Sequence, residues 1–179
     1  FFLLFYYNQV LGLSGTLSGI AIFIAMVVDA ISDPLVGALS DTTRSRWGRR
    51  HPYMYAAALP FALSFYFLFV PMDGLSETGL FLWLTAFSIL TRTFMTFYSV
   101  PHLSLGAELS RDYDERTLLS SLRMIMQLLG IFAVLIGGPL LFFGATEQYE
   151  NGQLNPDAYP SLALAAFWVM VIGVWVSAA

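Results

Sequence analysis

The sequence contains no cysteine and no lysine, only two histidines, and 11% charged residues. Without cysteine there is no disulfide scaffold, no thiolate nucleophile and no sulfur ligand set for zinc. His51 and His102 are far apart in sequence and form no metal-ligand pair, and no Gly-rich phosphate loop of the Walker kind is present, so enzyme and nucleotide-driven pump templates both fail. A soluble domain carries about a quarter charged residues. With 58% apolar and 16% aromatic residues in 179, this chain belongs in a bilayer, and no nucleic-acid partner is expected.

What is present is a series of apolar runs of about 20 residues, the length that crosses a hydrocarbon core about 30 Å thick. Turn signals divide them into a partial span before Val10 and spans over 16–40, 52–72, 79–106, 118–143 and 159–179. The connections are Leu11 to Gly15, Asp41 to His51, Asp73 to Thr78, Glu108 to Arg116 and Gly144 to Asn155. Pro52, Pro71 and Pro160 mark helix boundaries, because proline has no amide donor and is best tolerated in a first turn or beyond an end. The chain opens at Phe1 in FFLLFYY and closes in an apolar run, so it is expected to be a fragment of a longer protein.

All eight basic residues are arginine, and their placement sets orientation. Arg44, Arg46, Arg49 and Arg50 fall in one loop, and Arg111 and Arg116 in the loop two crossings later. The alternate loops carry Asp73, Glu77, Glu147, Glu150 and Asp157 and no cation. Cations in short loops stay inside, so loops 41–51 and 107–117 are expected to be cytoplasmic in a multi-pass cell-membrane protein.

Ionisable groups within a span cost about 2.5–3.5 kcal/mol each on an insertion scale and need a reason to be there. Asp29 and Asp33 lie four residues apart on the second span, on one face and separated by about 6 Å of helix. Two such carboxylates in a low dielectric require a proton or a cation between them, which is the chemistry of a coupling site for Na⁺ or H⁺. Ser32 and Pro34 flank Asp33, and the proline frees a backbone carbonyl as a further hard oxygen ligand. The alternative is that the pair only anchors arginines of neighbouring helices.

On the fourth span Arg92, Thr96 and Ser99 form one polar stripe, continued by His102 after Pro101. Counted from outer ends near Ser14 and Glu77, Asp29 and Arg92 share a depth and can pair, and Thr96 comes level with Asp33. Back-bonding of Thr96 and Ser99 to the preceding turn is the plainer reading of each hydroxyl alone. On the fifth span Arg123 and Gln127 share a face suited to sugar hydroxyls or a carboxylate, the alternative being an arginine that snorkels to the headgroups.

Gly37-Ala-Leu-Ser-Asp41, followed by Arg44-Ser-Arg46-Trp47-Gly48-Arg49-Arg50-His51-Pro52, resembles the loop between the second and third helices of the major facilitator superfamily. Joined to Asp29-Ala-Ile-Ser-Asp33-Pro34-Leu-Val-Gly37, Tyr98-Ser-Val-Pro101 and Arg116-Thr-Leu-Leu-Ser-Ser-Leu-Arg123, it is similar to the glycoside-pentoside-hexuronide:cation symporter family. The resemblance covers almost the whole chain. It implies an all-α transmembrane bundle, residues 1–179 forming the amino-terminal half of a twelve-helix protein. It carries cation binding onto Asp29, Asp33, Ser32 and Thr96, and substrate contact onto Ser99, Leu103 and Arg123. Melibiose-permease-like members have Asp where Ser99 stands, Trp where Leu103 stands and a small residue where Arg92 stands; the added arginine suits an acidic sugar, or a salt bridge replacing ion coupling at one Asp.

The expected function is therefore symport of a sugar or glycoside with Na⁺ or H⁺ by alternating access, with no enzyme activity and no cofactor beyond the coupling ion. Asp29 and Asp33 are the candidate Na⁺ ligands; Ser99, Leu103, Arg123, Gln127 and Arg92 are the candidate substrate residues. Gly37, Asp41, Arg46, Gly48, Arg49 and Arg111 form a candidate cytoplasmic gate, in which Asp41 meets Arg46, Arg49 or Arg111. The rivals are a lysolipid-type symporter of the same fold and a non-transporting membrane sensor.

Overall fold

The computed structural model describes residues 2–43, 50–108, 112–145 and 148–178, with the backbone alone at Ala107 and Glu108. Arg46, Gly48, Arg49 and Arg111, four of the candidate gate residues, lie outside the described residues.

A short α1 (Phe2–Phe5) runs directly into one widened π-turn over Tyr6–Val10. Among the described residues five long helices follow: α2 (Gly15–Thr42), α3 (His51–Phe69), α4 (Glu77–Glu108), α5 (Tyr113–Phe142) and α6 (Ala158–Ala178). Each is long and apolar enough to cross a membrane. A single 3₁₀ turn at Gly152–Leu154 interrupts the connection into α6.

Helix ends follow local chemistry. Ser14 caps α2 by accepting from the amide of Leu17 at 3.3 Å. Pro52 sits in the first turn of α3, where its missing amide costs nothing. Asp112 accepts from the amides of Asp114 and Glu115, and those two acids lie at the positive end of the helix dipole. This cap starts α5 five residues before the apolar run at 118 from which the span was read. Pro34, Pro60, Pro101 and Pro139 all lie inside helices, where each removes one backbone hydrogen bond.

Helix α4 packs against both α2 and α3, and α3 in turn packs against α6. Small residues make this possible: Ala21 and Ala25 of α2 and Ala57, Ala58 and Ala62 of α3 are buried, which lets backbones come close without a driving force from water. Helix α5 touches the others least, and most of its side chains are exposed.

The densest packing is at one end, where Tyr6, Tyr7, Phe69, Phe143 and Tyr159 cluster. Tyr6 and Tyr159 have ring centroids 4.1 Å apart, and the Tyr7 hydroxyl donates to the carbonyl of Leu68 at 2.9 Å. That carbonyl is in the last turn of α3, so it has no helical donor and needs this partner. At the opposite, arginine-bearing end, Tyr55 of α3 donates to the carbonyl of Ala178 at 2.9 Å, and Tyr98 of α4 meets Ser177 at 2.8 Å.

Candidate functional site

The middle of the α2–α4 interface holds a compact ionic cluster. Arg92 Nη1 donates to Asp29 Oδ2 at 3.0 Å, so the two residues placed at a common depth by counting turns are in direct contact. Thr96 lies one turn further along α4 and is 3% exposed. Its Oγ1 is 3.1 Å from Asp29 Oδ1, 2.8 Å from Asp33 Oδ1 and 3.1 Å from the carbonyl of Arg92.

A hydroxyl has one proton to give. Three acceptors therefore converge on a single donor, and at any moment at least one carboxylate oxygen faces a lone pair instead of a hydrogen. The back-bond to the Arg92 carbonyl and the bonds to the two aspartates compete for the same proton. Counting charges, two carboxylates and one guanidinium leave the cluster at −1. The oxygen-only donor set of Asp29, Asp33 and Thr96 is the hard ligand type that suits a small alkali cation.

Ser32 does not join the cluster: its hydroxyl donates to the carbonyl of Asp29 at 3.1 Å along its own helix. Pro34 removes the donor that would otherwise meet the carbonyl of Ala30 while α2 continues through it. Asp29 is half-buried and Asp33 exposed.

A second feature lies further toward the arginine-bearing end. His102, Leu103 and Gly106 of α4 and Arg116, Leu119, Ser120 and Arg123 of α5 line a cavity of about 200 Å³. Leu103 and Arg123, two of the candidate substrate residues, are brought together here. Ser99, half-buried on α4, and Gln127, exposed on α5, are not among the lining residues. Arg92 is committed to the ionic cluster rather than to this cavity. Sequence reading passed over Arg116 and Ser120 as lining residues, although 116, 120 and 123 are spaced to share one face of a helix.

At the inner end Asp41 pairs with Arg50 at 2.8 Å; Arg46, Arg49 and Arg111, the partners expected from the sequence, lie outside the described residues. Arg50 is 8% exposed, at the start of α3. Gly37 faces α4: a Cβ there would stand 3.7 Å from Val100, in ordinary contact.

Residues 1–179 match the family described as MFS/sugar transport protein. Among curated relatives, the symporter sll1374 of Synechocystis is 40% identical over 147 residues, 79% of this chain and 25% of that protein. The sodium-dependent lysophosphatidylcholine symporter 1 of Gallus gallus is 33% identical, covering 92% of this chain and 31% of its own length. The isoprimeverose transporter of Lactiplantibacillus pentosus is 31% identical, covering 94% of this chain and 36% of its own. The chain thus spans a quarter to about a third of the length of these relatives. With its whole length matched and five helices able to cross a bilayer, it is part of a multi-pass cell-membrane protein and belongs to the MFS/sugar transport family, whose members are transporters and not enzymes.

Proposed function

We propose that this chain is the amino-terminal half of a two-half transporter that moves a sugar or glycoside together with Na⁺ or H⁺ by alternating access. The observation that carries the reading is the convergence of Asp29 and Asp33 on the one hydroxyl of Thr96, with a net charge of −1 after Arg92 is counted. A mobile positive charge relieves that deficit. It binds between two helices of one half, and rocking of that half against the other changes the surroundings of the site, so occupancy and conformation are linked. Each charge that enters down a 100 mV potential supplies about 2.3 kcal/mol for accumulating substrate.

In this reading Arg123 supplies a bidentate donor fork to substrate hydroxyls or a carboxylate, and Leu103 gives the cavity an apolar wall. Asp41 and Arg50 form a pair at the cytoplasmic end that is made in one state and broken in another. A lysolipid substrate is the second reading, favoured by Leu103 and Leu119 in the cavity wall and by the identity to a relative named for lysophosphatidylcholine.

The test is uptake into vesicles containing the full-length protein. A panel of radiolabelled glycosides, sugar acids and a lysolipid is offered under imposed Na⁺ or pH gradients. Gradient-dependent accumulation of a sugar supports the first reading, accumulation of the lysolipid the second, and binding without accumulation means a sensor.

A further inference from the structure

Arg92 stands inside the ionic cluster, yet it cannot be a ligand for a cation. A guanidinium carries five donors and no acceptor, and it does not lose its charge in a protein. Its contact is specific. Nη1 meets Asp29 Oδ2 at 3.0 Å, the oxygen of Asp29 that Thr96 does not touch. Both oxygens of Asp29 are thus engaged by the protein, one of them by a fixed positive charge. Asp33 differs: it meets Thr96 through Oδ1 at 2.8 Å, it forms no ion pair among the described residues, and it is exposed. Two carboxylates that look equivalent by spacing are made unequal by one residue of the facing helix.

The geometry points to Arg92 as a tethered counter-ion that neutralises Asp29, so that the mobile cation is held by Asp33 with Thr96 and binds against the repulsion of a fixed charge one helical turn away. This inference rests on the cation-coupled reading above and assigns the carboxylates different tasks within it. Asp33 exchanges its cation in every cycle, whereas Asp29 keeps Arg92 in place.

Two consequences can be measured. First, Arg92 lowers cation affinity. Four residues of helix rise about 6 Å, and repulsion between unit charges at that separation, screened as at a protein surface, changes affinity by about tenfold or more. Second, Asp29 protects Asp33. Without its partner, Arg92 needs to travel only about one turn to pair with Asp33 itself and occlude the cation.

Sodium binding to the purified full-length transporter, measured by isothermal titration calorimetry, tests both. Arg92→Gln is expected to tighten Na⁺ binding at least about tenfold, whereas Arg92→Lys, which keeps the charge, stays within a few-fold of the parent. Asp29→Asn is expected to weaken binding at least about tenfold, and adding Arg92→Gln to it to restore most of the loss. A purely structural role for Arg92 would never tighten binding. Unchanged or weaker binding in Arg92→Gln, or equal behaviour of the Gln and Lys variants, overturns the inference. Should Arg92→Gln alone lower the melting midpoint, the comparison of Asp29→Asn with the double variant decides: no recovery overturns it. Asp33→Asn with Arg92 in place separates the two levels. Sodium binding that persists there removes the ion site itself, and binding that needs Asp33 but ignores Arg92 removes only the counter-ion role.

Discussion

Thr96 Oγ1 lies 2.8 Å from Asp33 Oδ1 across the α2–α4 interface, and the same oxygen lies 3.1 Å from Asp29 Oδ1. One buried hydroxyl therefore ties together two carboxylates of the neighbouring helix. Its role is testable by an almost isosteric change. Thr96→Val removes the donor and leaves two anionic oxygens with nothing between them. Hydrogen bonds to charged groups contribute about 1.5–3 kcal/mol, so the cation concentration for half-maximal uptake should rise about ten- to a hundredfold. Thr96→Ser should remain near the parent value. Equal behaviour of Val and Ser variants would place the site elsewhere.

The pair Asp41–Arg50 joins the end of α2 to the start of α3 at the cytoplasmic side. Asp41 is 57% exposed, so the static contribution of the pair is small, about 1 kcal/mol or less. Its expected effect is on the transport cycle. Asp41→Asn should slow net uptake several-fold while leaving substrate affinity within about twofold, because the pair favours one state of the gate without touching the cavity. Uptake rates and binding isotherms measured on the same preparation check this.

Arg123 and Leu103 share the cavity between α4 and α5. Arg123→Lys keeps the charge but loses the planar fork, and should raise the substrate concentration for half-maximal uptake by about ten- to a hundredfold while leaving cation affinity little changed. A parallel loss of cation affinity would show that the cavity and the ionic cluster are one site.

Tyr7 is fully buried and donates to the carbonyl of Leu68, which lies too close to the end of α3 to have a helical donor. Tyr7→Phe leaves that carbonyl unsatisfied at a cost of about 1–3 kcal/mol. The thermal midpoint of the detergent-solubilised protein should fall by a few degrees, with cation affinity unaltered because the ionic cluster is remote from Tyr7.

The ionic cluster was legible because a helix is a ruler. The outer ends near Ser14 and Glu77 coincide with the cap of α2 and the first residue of α4. Equal counts from those points put Asp29 beside Arg92 and Asp33 beside Thr96, as found. Loops have no such period, so no spacing announces the contact of Asp41 with Arg50, and Arg46, Arg49 and Arg111 lie outside the described residues. Rotamer choice is equally hidden from spacing: Ser32 lies between the aspartates in sequence but bonds its own helix. The cavity was half legible. Arg123 and Leu103 were named, but Gln127 is not in its lining, because sharing a helical face does not establish which neighbour covers that face. The π-turn at Tyr6–Val10 has no sequence signature that periodicity detects, and the early start of α5 depends on a polar cap rather than on an apolar run.

The central claim is that Asp33 carries the exchanging cation. It is tested most directly by substrate accumulation in vesicles under an imposed Na⁺ or pH gradient, compared with counterflow of the same substrate without a gradient, in the parent protein and in Asp33→Asn. The account predicts that the variant loses gradient-driven accumulation at least about tenfold, the scale of one lost charge interaction, while counterflow persists. Gradient-driven accumulation at the parent level in Asp33→Asn would contradict it.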